Sequence, residues 1–192
     1  MRIAVRARGF TLICLISITI GVAGCDSTVA YSGRSPSSGA TLTPAAPPLA
    51  RPCSFLTQPI AARITGDTTM ANRAHDVTEA GSGYVACNFM DPGDEANSVG
   101  VQLKRVPSGV SESVLQDAAT FFSSGEPVQP FQPFTVTGIG DGALGETTPG
   151  VAFIVFSRGD LLIYVGASSG SVSGGFLRAG IVNLARDVAA SV

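Results

Sequence analysis

The chain has 192 residues, of which 45% are hydrophobic and 14% charged, with a formal net charge of −2. That hydrophobic share excludes a mostly disordered chain, and the length allows one domain with a real core but hardly two. With no cluster of Lys or Arg in a net acidic chain, a nucleic-acid binder that grips phosphates by charge is excluded as well.

Arg2, Arg6 and Arg8 precede an apolar stretch from Phe10 to Ala23. Its 14 residues fall short of the roughly 20 needed by a permanent span, and suit the h-region of a secretory signal. The stretch ends Val22-Ala23-Gly24-Cys25, which resembles the lipobox of bacterial lipoproteins. The resemblance implies that residues 1–24 are removed and that the Cys25 thiol is diacylated, with palmitate as a typical chain. Two acyl chains anchor far better than one. The expected location is therefore the extracytoplasmic side of the cell membrane. An ordinary signal cut near Ala23 and an uncleaved anchor are the alternatives. Three of the 12 basic residues lie before Cys25, leaving nine against 14 acidic, a formal −5. Such a domain holds anionic headgroups poorly by its overall charge, so attachment is expected from the lipid.

Residues 25–51 comprise the lipidated Cys and a Ser/Pro/Thr/Ala linker without periodicity. A flexible chain of that length reaches about 25–30 Å on average, enough to lift a domain off the headgroups. One globular domain is expected over 52–192. It carries Cys53 and Cys87, the only cysteines left after Cys25 and the discarded Cys14. In an oxidising compartment two remaining thiols predict one disulfide, worth about 3 kcal/mol by loop-closure entropy. Two Cys and one His at these spacings supply too few ligands for a structural metal.

In chain order, Thr57 is placed to cap a short helix with Pro59 in its first turn, ending at Gly66. Tyr84–Met90 alternates, with Val85, Cys87 and Phe89 on one face. Ser98–Val106 alternates too, with Val99, Val101 and Leu103 inward. Asp91-Pro92-Gly93-Asp94 between them is turn chemistry, so a hairpin is predicted. Ser111–Ser123 reads as a helix with Val114, Ala118, Phe121 and Phe122 in one apolar stripe. A short strand is expected at 134–136. Val151–Phe156 and Leu161–Val165, joined by Ser157-Arg158-Gly159-Asp160, form the clearest hairpin. A last helix over Ser173–Ala190 buries Leu177, Ile181, Leu184 and Val188 and turns Arg178, Arg186 and Asp187 to water. The expected fold is α+β, an antiparallel sheet of four to five strands with helices packed on one face.

Pro52-Cys53-Ser54-Phe55-Leu56-Thr57 opens the domain, and Cys87 follows in Tyr84-Val85-Ala86-Cys87-Asn88-Phe89. Gly138-Ile139-Gly140-Asp141-Gly142-Ala143 and Phe156-Ser157-Arg158-Gly159-Asp160-Leu161-Leu162 come later. With the lipobox and tether, this pattern resembles actinobacterial lipoproteins of the domain-of-unknown-function family numbered 3558. In that family the aromatic after the second Cys is often Trp, where Asn88-Phe89 stands here. The resemblance implies an exported, membrane-anchored domain with a Cys pair. It implies no activity and brings no catalytic residues.

Several motifs touch on chemistry. Gly166-Ala167-Ser168-Ser169-Gly170 fits the nucleophile-elbow pattern, which would make Ser168 a nucleophile. That chemistry needs a base, and His75, the only His, precedes Ser168 by 93 residues. A Gly/Ser loop before the last helix is the simpler expectation. Arg158-Gly159-Asp160 is the integrin tripeptide at a hairpin tip, and equally ordinary turn chemistry. Gly138-x-Gly140-x-Gly142 lacks the strand-turn-helix context of a dinucleotide loop. Asp91, Asp94 and Glu95 lack EF-hand alternation and read as a solvated turn. Phe121, Phe122, Phe131 and Phe134 line either an apolar groove or simply the core.

No catalytic residue, metal or cofactor is assigned. The chain reads as a lipid-anchored, non-catalytic envelope module binding an apolar ligand or a protein partner. The alternatives are an exported serine hydrolase using Ser168 and an accessory subunit of a membrane complex.

Overall fold

The computed structural model describes residues 48–79, 84–94, 96–123 and 130–192. The signal, Cys25 and the tether up to residue 47 lie outside the described residues. A single unit spans Pro48–Val192, starting slightly before the expected Pro52, because Leu49 and Ala50 already pack against the core.

A 3-10 turn, Pro52–Ser54, leads into α1, Gln58–Thr65. Thr57 is extended at the N-cap and Gly66 takes the left-handed conformation that ends the helix, φ 74°. Three strands follow: β1 (Ala71–Glu79), β2 (Tyr84–Met90) and β3 (Ser98–Arg105). After α2 (Glu112–Ser123) come β4 (Gln132–Phe134), β5 (Gly142–Thr148), β6 (Val151–Arg158) and β7 (Leu161–Ser168). The chain closes with α3, Gly174–Ser191, whose N-cap Ser173 accepts a hydrogen bond from the Phe176 N–H.

All strands pair antiparallel, in the order β1-β2-β3-β7-β6-β5-β4. Two meanders therefore meet at β3 and β7, the second one folding back so that its last strand lies beside the end of the first. The α+β class is as expected, but the sheet has seven strands rather than four to five. The two unforeseen strands are β1 and β5. Their sequences, Ala-Asn-Arg-Ala-His-Asp-Val-Thr-Glu and Gly-Ala-Leu-Gly-Glu-Thr-Thr, show no apolar alternation. Pairing with β2 and β6 places them in the sheet, and propensity does not.

The helices also divide between the faces, rather than sharing one. On the first face α1 and α3 cover Cys87, Val101, Ile154, Phe156, Ile163 and Val165, all fully buried. Leu177, Ile181, Leu184 and Val188 of α3 fill this core, as their spacing predicts. On the second face α2 packs Leu115 and Ala119 onto Phe153 and Val155. The sequence signal for this is the unbroken apolar run of β6, 151–156, and residues 152–157 are all buried. A strand apolar on both faces needs cover on both. The stripe on α2 is consequently rotated from the expected one. Leu115 and Ala119 are its centre, Ala118 and Phe122 are half-buried beside them, and Phe121 is 60% exposed.

Candidate functional site

Cys53 and Cys87 are bonded, with their Cα atoms 5.2 Å apart. Cys87 is buried on β2 beneath the 3-10 turn that carries Cys53, so the bond ties the start of the domain to the sheet. Cys25 lies outside the described residues. Among them no helix is long and apolar enough to cross a membrane.

Ser168 is the last residue of β7, with no strand-to-helix elbow beneath it. Its hydroxyl donates to the Ala96 carbonyl at 2.6 Å and shares a 2.8 Å hydrogen bond with Ser98, its partner across the ladder. His75 is on edge strand β1, three strands away, or about 14 Å at ordinary strand spacing. The fold therefore does not bring Ser168 and His75 together. Ser169 is buried, and its N–H donates to the Gly150 carbonyl at 2.9 Å, which pins the β5–β6 turn.

The two glycine-bearing motifs meet each other. Asp141, in the Gly138–Gly142 loop, accepts from the Gly159 N–H at 2.7 Å and pairs with Arg158 at 3.5 Å. Asp160 pairs with Arg105 of β3. All three residues of Arg158-Gly159-Asp160 are thus engaged within the chain. Gly159 takes φ 59° in a two-residue turn, the conformation such hairpins favour.

The acidic turn is likewise self-satisfied. Asp91 accepts from the Gly93 N–H and from Thr69, and Asp94 from the Ala96 N–H. Glu95 lies outside the described residues. Asp67 joins the cluster: hydrogen bonds from the Thr69 hydroxyl and N–H, with a further one from Asn97, hold its carboxyl below the usual range. No group of three metal-ligating side chains occurs among the described residues.

The phenylalanines separate. Phe122 stacks on Tyr164 with centroids 3.9 Å apart, and Phe131 meets Phe153 edge-on at 5.4 Å. These belong to the core beneath α2. Burial there pushes the Tyr164 hydroxyl well above its ordinary pKa. Desolvation also raises the carboxyl of Glu146, which is on β5 near the end of α2, against a hydrogen bond with Ser123. Phe134 belongs to the opposite face. Its backbone pairs with Gly145, and the Arg178 guanidinium sits over its ring, 4.4 Å from the centroid.

Arg178 also lines a groove of about 480 Å³ along α3. Thr135, Val136 and Thr137 form one wall, and Arg178, Val182 and Arg186 the other. Arg178 and Arg186 are two turns apart on the helix, about 12 Å at ordinary rise. Neither is within ion-pair distance of a carboxylate among the described residues, and none lines the groove. On the other flank of α3 the groove beside α1 contains both Arg63 and Asp187. The two arginines read from sequence as a solvated helix face. Their i, i+8 spacing is the available signal, but only the fold sets Phe134 under Arg178 and brings Thr135 and Thr137 to the same groove.

No family model matches the chain, and no curated protein does. Among solved structures it is similar to the extracellular domain of PknH from Mycobacterium tuberculosis, at 12% identity and a TM-score of 0.47. The match covers 76% of this chain and 99% of that one.

Proposed function

We propose that the chain is an exported lipoprotein, anchored through Cys25 on the extracytoplasmic face of the cell membrane and lifted from it by residues 26–51. Its folded part is a non-catalytic module that binds a ligand or partner of the envelope. The observation that carries the export reading is the Cys53–Cys87 disulfide, which closes onto a fully buried position of the sheet. Such a bond persists in oxidising compartments. The charged n-region, the short apolar run and the Val22-Ala23-Gly24-Cys25 sequence support the same reading from the other end of the chain. So does the resemblance to the actinobacterial lipoproteins.

The non-catalytic reading is supported by what the flagged side chains do. Ser168, Asp91, Asp94, Arg158 and Asp160 are all engaged in hydrogen bonds or ion pairs that hold loops and strand ends. The test is Cys25→Ser, with the wild type and variant separated into membrane and soluble fractions. The wild type is expected in the membrane fraction and extractable by detergent, and the variant is expected to lose its acyl groups. Equal distribution of two unacylated proteins would overturn the reading.

A further inference from the structure

We propose that the groove between α3 and residues 135–137 binds a phosphate ester that carries an apolar group; this deepens, and rests on, the reading of the domain as an envelope binding module. Three features point to this ligand. The first is uncompensated charge. Arg178 and Arg186 bring two cations into one groove without a lining carboxylate, in a chain that is otherwise net acidic. Among the other described cations Arg105 and Arg158 have acidic partners, and Arg51, Arg63 and Lys104 have none among the described residues, so what marks this groove is two arginines together without a lining carboxylate.

The second is preorganisation. Stacking over Phe134 leaves the in-plane N–H groups of Arg178 available and limits the rotamers that a ligand must fix. Guanidinium forks match phosphate oxygens bidentately. Two such forks with the nearby Thr135 and Thr137 hydroxyls exceed what one carboxylate can accept, whereas a phosphoryl group has oxygens enough to share among them. The third is the apolar surface between the charges. Val136 and Val182 face the same groove and give the carbon part of an ester a place beside the headgroup site.

Calorimetric titration of the mature chain in neutral detergent tests this, with butyl phosphate and glycerol 1-phosphate as the probes. Butyl phosphate is expected to bind saturably, one per chain. Arg178→Gln with Arg186→Gln should weaken it about tenfold or more, and Arg178→Lys should weaken it too, since a lysine lacks the fork. Arg63→Gln, on the far flank of α3, should leave binding unchanged. Both groove arginines are exposed and Gln is nearly as good a helix former, so circular dichroism should show an intact fold. Preference for butyl phosphate over glycerol 1-phosphate supports the apolar group, and equal binding overturns that part of the proposal. No saturable binding of either probe, or equal binding by the double variant, overturns the proposal. A membrane-anchored chain that ignores both esters removes this inference alone. A chain that binds them but is never acylated removes the export reading alone.

Discussion

Gly145 and Phe134 share a rung of the β4–β5 ladder, and a methyl group on Gly145 would lie 2.5 Å from the Phe134 ring. The bare glycine leaves room for the ring over which the Arg178 guanidinium sits. Gly145→Ala should therefore destabilise by about 1–3 kcal/mol, as overpacking does, and should displace Arg178. The ring's share of that cost should fall in a Phe134→Leu background, while the Val136 methyl, 2.7 Å from the same position, keeps the remainder. A double-mutant cycle by chemical denaturation checks this, and additive costs would contradict the packing described.

The disulfide predicts a separate effect. Cys53→Ser with Cys87→Ser should lower stability by about 3 kcal/mol, or about 6–12 °C in Tm for a domain of this size. Thermal scans of the wild type with and without reductant should differ by a similar amount, and the double variant should not respond to reductant.

Much of this architecture is visible in the residues, and the failures are specific. Apolar alternation places β2 and β3 correctly, and the Leu177–Val188 spacing places the buried face of α3. The large buried apolar residues of these elements lie on one face, with only the small Ala86 and Gly100 buried on the other in β2 and β3, so periodicity reports them. β1 and β5 have no such pattern in their sequences, and it is ladder pairing with β2 and β6 that identifies them as strands. The second core escapes for a related reason. Phe153, Val155, Leu115 and Ala119 are each plain in the sequence, but their meeting depends on α2 crossing the sheet face opposite α3. The candidate groove is the least legible part. Arg178 and Phe134 are 44 residues apart and meet only because β4 ends beside α3.

Glu146 gives a pH-dependent prediction. Burial raises its carboxyl, so the folded chain prefers the neutral form. The cost of ionising it is absent below the ordinary carboxyl range. It grows as pH rises through that range to the raised folded value, and is fully present at neutral pH. Glu146→Gln should raise Tm at about pH 7 and leave it unchanged at about pH 3.5. A gain of the same size at both values would show that charge is not the cause.

Tyr164 can be followed directly. The chain has three Tyr, at 31, 84 and 164. In an alkaline titration monitored by tyrosinate absorbance, Tyr164 should stay neutral well above the ordinary tyrosine range and titrate only as the domain unfolds. Tyr164→Phe should abolish that late step. A late step that survives the substitution would contradict the assignment.

Export, acylation at Cys25 and the Cys53–Cys87 bond can be read together in one spectrum. The intact mass of the protein isolated from its native membrane tests them most directly. The expected chain begins at Cys25, heavier by its acyl chains and lighter by two hydrogens for the disulfide. A chain that retains residues 1–24, carries no lipid and gains no hydrogens on reduction would contradict it.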